Sequence, residues 1–223
     1  MSSAQEPTHR VYLPSVTGGT APEATPEPPP AEEGLLLNSA TGSSEQAINW
    51  FAARSNLYTR YDITTIVGAY QRIGDEVGID WFLALAQCAH ETGSLTSWWC
   101  DRPRRNPAGL GVTGRNVAGS PDQPPGLYWA WRDGRWWEGI SFAAWDSFAV
   151  RAHLGRLLAY ALPAGAGTPP QQDAINYALG LRPLPSSFRG VARTIIDLNG
   201  RWAVPGSTYG QSIINLAARM RSG

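Results

Sequence analysis

The chain has 223 residues, and its first forty or so leave roughly 180 for one folded domain with a real core. Formal net charge is zero, which gives no hint of nucleic-acid binding, and no stretch approaches the roughly 20 apolar residues that span a bilayer. The zero hides an asymmetry. Residues 1–34 carry five Glu and one Arg, a net of −4, so the rest of the chain is about +4, and all 18 basic residues are Arg. A mildly positive body fits a polyanionic ligand, and equally an ordinary solvated surface. Met1 leads into polar residues with no signal-peptide pattern, so the chain is expected either to be trimmed or to be exported by another route.

Residues 14–33 are dominated by Pro, Glu, Thr and Ala and have almost nothing to bury. Residues 1–42 are therefore expected to be a disordered tail, and 43–223 the folded domain. Ser43 and Gln46 have capping-box spacing at the head of a first helix. Asp62 is the expected cap of a second, whose stripe of Ile63, Ile66, Val67, Tyr70, Ile73 and Val77 repeats every 3.6 residues and ends at Gly78. Asp80 caps a third, WFLALAQCAHE, closed by Gly93. Residues 101–126 are rich in Pro, Gly and Arg and read as a long loop. Asp133-Gly134 between two aromatic-rich runs predicts a β-hairpin. Helical patterns resume at Asp146 and recur over about 171–180, 186–199 and 207–221, the last with Ile213, Leu216, Ala217 and Met220 in register. The expected fold is mainly α (α+β), with a small β-hairpin lobe.

Cys88 and Cys100 are the only cysteines. A disulfide between them would close a short loop and stabilise by roughly 3 kcal/mol; the other reading is a buried thiol at Cys88. Ten tryptophans exceed what core packing alone requires, and surface aromatics of this kind stack on flat ligands such as sugar rings.

Among the acids, Glu91 stands out. It sits at the C-terminal end of its helix, where the macrodipole disfavours ionisation, and Trp98 and Trp99 follow closely enough to wall it from water. A carboxyl kept protonated near neutral pH is what cleavage of a glycosidic bond requires, because the alkoxide leaves poorly. The competing reading is a solvated helix-end carboxylate. His9, His90 and His153 are scattered and lack metal-ligand spacing. Arg102, Arg104, Arg105 and Arg115 cluster after Glu91, either to meet substrate carboxylates or as a solvated loop.

The segment GIDWFLALAQCAHETG resembles the helix of bacterial cell-wall glucosaminidases, the family 73 glycoside hydrolases of the lysozyme-like superfamily. Their Ala-Leu-Ala-Gln helix ends in Glu-Thr-Gly, matched here by Leu83 to Gln87 and then Glu91-Thr92-Gly93. Asn106-Pro107-Ala108-Gly109-Leu110-Gly111 is similar to the family's Asn-x-x-Gly-Ile loop. Arg201-Trp202-Ala203 and Ser207-Thr208-Tyr209-Gly210 resemble its late Trp/Tyr element, and the similarity runs over about residues 45–221. It implies a lysozyme-like fold and a peptidoglycan-cleaving endo-β-N-acetylglucosaminidase without cofactor or metal. Glu91 would be the general acid, and Tyr209 would orient the acetamido group or steady charge at the sugar. Asn106, Trp98, Trp129, Trp131 and Trp202 are the candidate substrate contacts, although core packing accounts for any one tryptophan equally well.

One position departs from the family. Counting back from Gly134 to the place of its second carboxylate gives Ala130, so Glu138 on the returning strand is the first substitute, either secondary in the mechanism or structural, with Asp133 and Asp122 as weaker ones. Without it, the substrate's own N-acetyl group would do the work. The partners expected are peptidoglycan glycan strands, with no nucleic acid, no membrane span and a monomeric state, and the location is secreted or wall-associated. The rival readings are a muramidase or lytic transglycosylase on the same frame, and a non-catalytic wall-binding module.

Overall fold

In the computed structural model, which describes residues 33–223, most helices begin where a short polar side chain can hold their first free N–H groups. Helix α1 (Ser44–Ala52) opens with the expected Ser43–Gln46 capping box. Helix α2 (Arg60–Val77) opens with a box as well, but Thr59 is its cap and Asp62 is the third residue that reaches back, so the helix starts one turn earlier than the sequence placed it. Gly78 ends α2 in the left-handed conformation. Asp80 caps α3 (Trp81–Thr92) by accepting from the Leu83 N–H at 2.9 Å, and Gly93 closes it at φ 59°.

Helix α3 is the axis of the molecule. Every residue from Trp81 to Ala89 is buried, as expected of a helix apolar on all sides. Around it pack α1, α2, α4 (Val150–Ala161) and α6 (Tyr209–Ser222). A π-helical turn over Trp145–Ala149 leads into α4, and α5 (Pro169–Leu181) folds back along α4. The crossing is close: a Cβ on Gly155 would lie 2.1 Å from the Ala174 carbonyl oxygen.

The β lobe has three antiparallel strands in the order β1-β3-β2, formed by Asn116–Ala118, Trp129–Arg132 and Arg135–Glu138. Asp133 and Gly134, at φ 50° and 76°, make the expected two-residue turn. Strand β1 was unforeseen; three residues between Gly and Pro carry too little pattern to stand out, and they form a strand because β3 offers a free edge.

Two other expectations change. The region 186–199 is not a helix. It makes two 3-10 turns, Ser186–Phe188 and Ile196–Leu198, joined by chain whose N–H groups bond outside it, Ala192 to the Tyr160 carbonyl and Ile195 to that of Gly34. The folded unit also begins before residue 43. Leu36 is buried, donates its N–H to Arg193 and accepts from Asp80. Of the tail expected over residues 1–42, residues 1–32 lie outside the described residues. Cys88 and Cys100 are separate buried thiols, both raised by burial, Cys100 to about 12. Among the described residues, no helix is long and apolar enough to cross a membrane.

Candidate active site

Glu91 lies one turn after Gln87 on α3, and this spacing puts both side chains on the face that meets the start of α6. There the Tyr209 hydroxyl donates to Glu91 Oε1 at 2.6 Å. The same hydroxyl accepts from Gln87 Nε2 at 2.7 Å. The other end of that amide, Gln87 Oε1, accepts from His153 Nε2 at 2.9 Å, and His153 Nδ1 accepts from the Tyr70 hydroxyl at 2.8 Å. The amide sets the direction of the chain. Because its oxygen faces His153, the imidazole carries its proton on Nε2; because its nitrogen faces Tyr209, the phenol proton is left for Glu91.

Burial pushes the Glu91 carboxyl above its usual range. Tyr209 opposes that shift most, followed by the field of His90 and then Trp202. Burial also drives His153 down to about 3, so it is a neutral relay at any ordinary pH. The result is a half-buried carboxyl, raised above its usual range by burial, with one oxygen fixed from behind. The other faces Gly109: a Cβ there would sit 3.6 Å from Glu91 Oε2, and the φ of +61° suits glycine. The unfixed oxygen therefore lies beside a loop stripped of side chain.

Asn106 builds that loop and presents nothing to a ligand. It is fully buried, its Nδ2 donates to the carbonyls of Leu110 and Ile140 at 2.8 and 2.9 Å, and its Oδ1 accepts from the N–H groups of Ala108 and Leu110. Tyr209 likewise has its single proton committed to Glu91 and is 5% exposed. Trp202 packs at a tilt between His153 and Tyr160 and lines the cavity next to Gly109.

The remaining candidates lie away from this cluster. Glu138 accepts from Thr113 at 2.5 Å and pairs with Arg115 at 3.7 Å, with no contact to Glu91 among the described residues. Trp98 is flanked by the guanidiniums of Arg104 and Arg132, at 4.1 and 5.3 Å from its ring, and lines a separate hollow with Trp99 and Trp137. Trp131 meets Trp136 edge-on at 5.2 Å, and Trp129 lies across from Glu138 beneath Arg115. The arginines after Glu91 are engaged internally: Arg102 by Asp62, Arg104 by Asp101 and the Trp98 carbonyl, Arg105 by the Pro103 and Phe142 carbonyls, Arg115 by Glu138. Sequence reasoning gave no role to Gln87 or His153. Gln87 carried a usable signal, lying four residues before Glu91 on one helix face; His153 carried none. Compared with known families, with curated proteins and with solved structures, the chain matches none.

Proposed function

We propose that the chain is a peptidoglycan hydrolase, an endo-β-N-acetylglucosaminidase that uses Glu91 as general acid. The observation that carries this reading is the Glu91 carboxyl itself, raised by burial, held at Oε1 by Tyr209, and left with Oε2 beside Gly109. A protonated Oε2 delivers its proton to the glycosidic oxygen as the C1–O bond breaks. The carboxylate so formed receives the Tyr209 hydrogen bond, which strengthens as charge develops. Water completes hydrolysis at C1, with the substrate's N-acetyl oxygen assisting in place of a second protein carboxylate.

The engagement of Glu138 by Thr113 and Arg115 favours one second reading on the same site, a lytic transglycosylase, which needs a single acid. Digestion of purified peptidoglycan by wild type and Glu91→Gln, with mass spectrometry of the new ends, tests both. N-acetylglucosamine reducing ends from wild type alone support the glucosaminidase. Anhydro-muramic ends move the enzyme to the second reading, and muramic reducing ends to a muramidase. Binding to wall material without cleavage by either protein leaves a binding module. The reading places the protein outside the cytoplasmic membrane, acting as a monomer on wall glycan.

A further inference from the structure

The hydrogen-bond chain that ends at Glu91 has a property its last link does not reveal: it can run in two directions. Each member, whether hydroxyl, amide or neutral imidazole, donates on one side and accepts on the other. In the observed direction Tyr209 donates to Glu91 Oε1, so the proton of the acid belongs on Oε2, beside Gly109. In the opposite direction Glu91 Oε1 would carry the proton and donate it to Tyr209. Tyr209 would donate to a turned Gln87 oxygen, and the Gln87 N–H to a lone pair on His153 Nε2. A protonated Glu91 makes the same number of bonds either way, yet only the first direction leaves a proton on the oxygen that faces open space. The bonds at the carboxyl therefore do not choose between them, and the choice falls to the far end of the chain.

That end is Tyr70 on α2. Its hydroxyl lies 2.8 Å from His153 Nδ1, and the two rings meet edge-on at 5.8 Å. Reversal requires the Tyr70 proton to leave Nδ1, and its other neighbour is the Cys88 thiol. Sulfur is the weaker acceptor. Tyr70 therefore keeps its proton on Nδ1, the imidazole keeps its own on Nε2, and the Gln87 oxygen stays turned towards His153 at 2.9 Å. We infer that His153, held by Tyr70, is a positioning residue for Glu91, acting through Gln87 and Tyr209 to keep the proton of the acid on Oε2. The inference rests on the Glu91 reading and adds to it two buried residues, from α2 and α4, that reach the carboxyl only through other side chains. The other groups facing the chain are His90 and Trp202 at Glu91, the His90 ring and Tyr160 at Tyr209, and Trp202 at His153.

The test follows the Glu91 carboxyl by the NMR shift of its side-chain carbon as pH is varied, with Glu91→Gln to assign the signal. In His153→Leu the Gln87 amide is free to turn. Tyr209 can then donate to Gln87 while Glu91 is protonated, which gives the protonated form an arrangement it lacked. The midpoint of the Glu91 titration should move up, by about one pH unit. His153→Gln supplies an amide that again accepts from Tyr70 and donates to Gln87, and it should restore the wild-type midpoint. Tyr209→Phe should raise the midpoint by itself, and His153→Leu should add nothing to it, because the path to Glu91 runs through that hydroxyl. An unmoved midpoint in His153→Leu overturns the inference, and so does a shift that His153→Gln leaves in place or that persists on top of Tyr209→Phe. Should His153→Leu fail to fold, Tyr70→Phe keeps the buried ring and frees the imidazole tautomer; it should raise the midpoint in the same sense, and an unmoved one there overturns the inference too. These titrations need no catalysis. Failure of the glycosidase reading would show separately, as intact peptidoglycan after digestion with wild type.

Discussion

Replacing Tyr209 by Phe removes one oxygen and keeps the ring that fills the gap between α3 and α6. Two hydrogen bonds go with it, the 2.6 Å bond to Glu91 and the 2.7 Å bond from Gln87. The first is charge-assisted once Glu91 has given up its proton, and such bonds contribute about 1.5–3 kcal/mol, or roughly 10- to 100-fold in rate. The second leaves a buried amide N–H without a partner, which costs about 1–3 kcal/mol of stability. The sign on the pH profile follows from the same geometry. Tyr209 favours ionised Glu91, so removing it raises the carboxyl further. Glu91 works as the protonated form, hence the alkaline limb of kcat against pH moves to higher pH while the plateau falls. The assay is kcat and KM on soluble glycan strands over pH 4–9. An unmoved alkaline limb, or a change in KM alone, would refute the reasoning and return Tyr209 to a sugar-contacting role.

Glu91→Gln should lose about 10²- to 10⁴-fold in rate, the usual span for a general acid. It should also melt above wild type at pH 8 and together with it at pH 4. A carboxyl raised by folding loses stability as pH rises through its folded pKa, and Gln has nothing to ionise; a lower melting point at pH 8 would sink this. His153 works the other way. Its folded pKa of about 3 lies below the ordinary 6.5, so wild type loses stability as pH falls through that window, by about 1.4 kcal/mol per pH unit. Chemical denaturation of His153→Gln between pH 4 and 6 should show a slope shallower by that amount. Gly155→Ala should lower the melting temperature, because its Cβ would meet the Ala174 carbonyl at 2.1 Å, whereas Gly68→Ala, with nothing within 4 Å, should gain about 0.5–1 kcal/mol. If both substitutions stabilise, the close crossing of α4 and α5 is wrong.

The two carboxylate candidates show where reading the chain works and where it fails. Glu91 stood out because its cause is local: a helix end, an apolar run before it and aromatics after it. Glu138 could be proposed from its strand position, but its partners Thr113 and Arg115 come from a loop whose path no local pattern reveals. The arginines divide in the same way. The sequence gathers four after Glu91, and folding consumes all of them. The three that line the cavity beside Gly109, Arg156, Arg182 and Arg201, come from α4, the end of α5 and the turn before α6.

The sequence by itself determined the helices at both ends of the chain's folded part, the caps at Ser43 and Asp80, the stops at Gly78 and Gly93, and the hairpin turn at Asp133-Gly134. Those signals lie within a few residues of one another, where backbone hydrogen bonds and side-chain spacing act directly. Only the tertiary structure decided that Tyr70, Gln87, His153, Tyr209 and Glu91 form one directed chain of hydrogen bonds, and that 186–199 makes two 3-10 turns in place of a helix. Buried polar groups must find partners wherever the packing brings them, and these were supplied by residues up to 122 positions away.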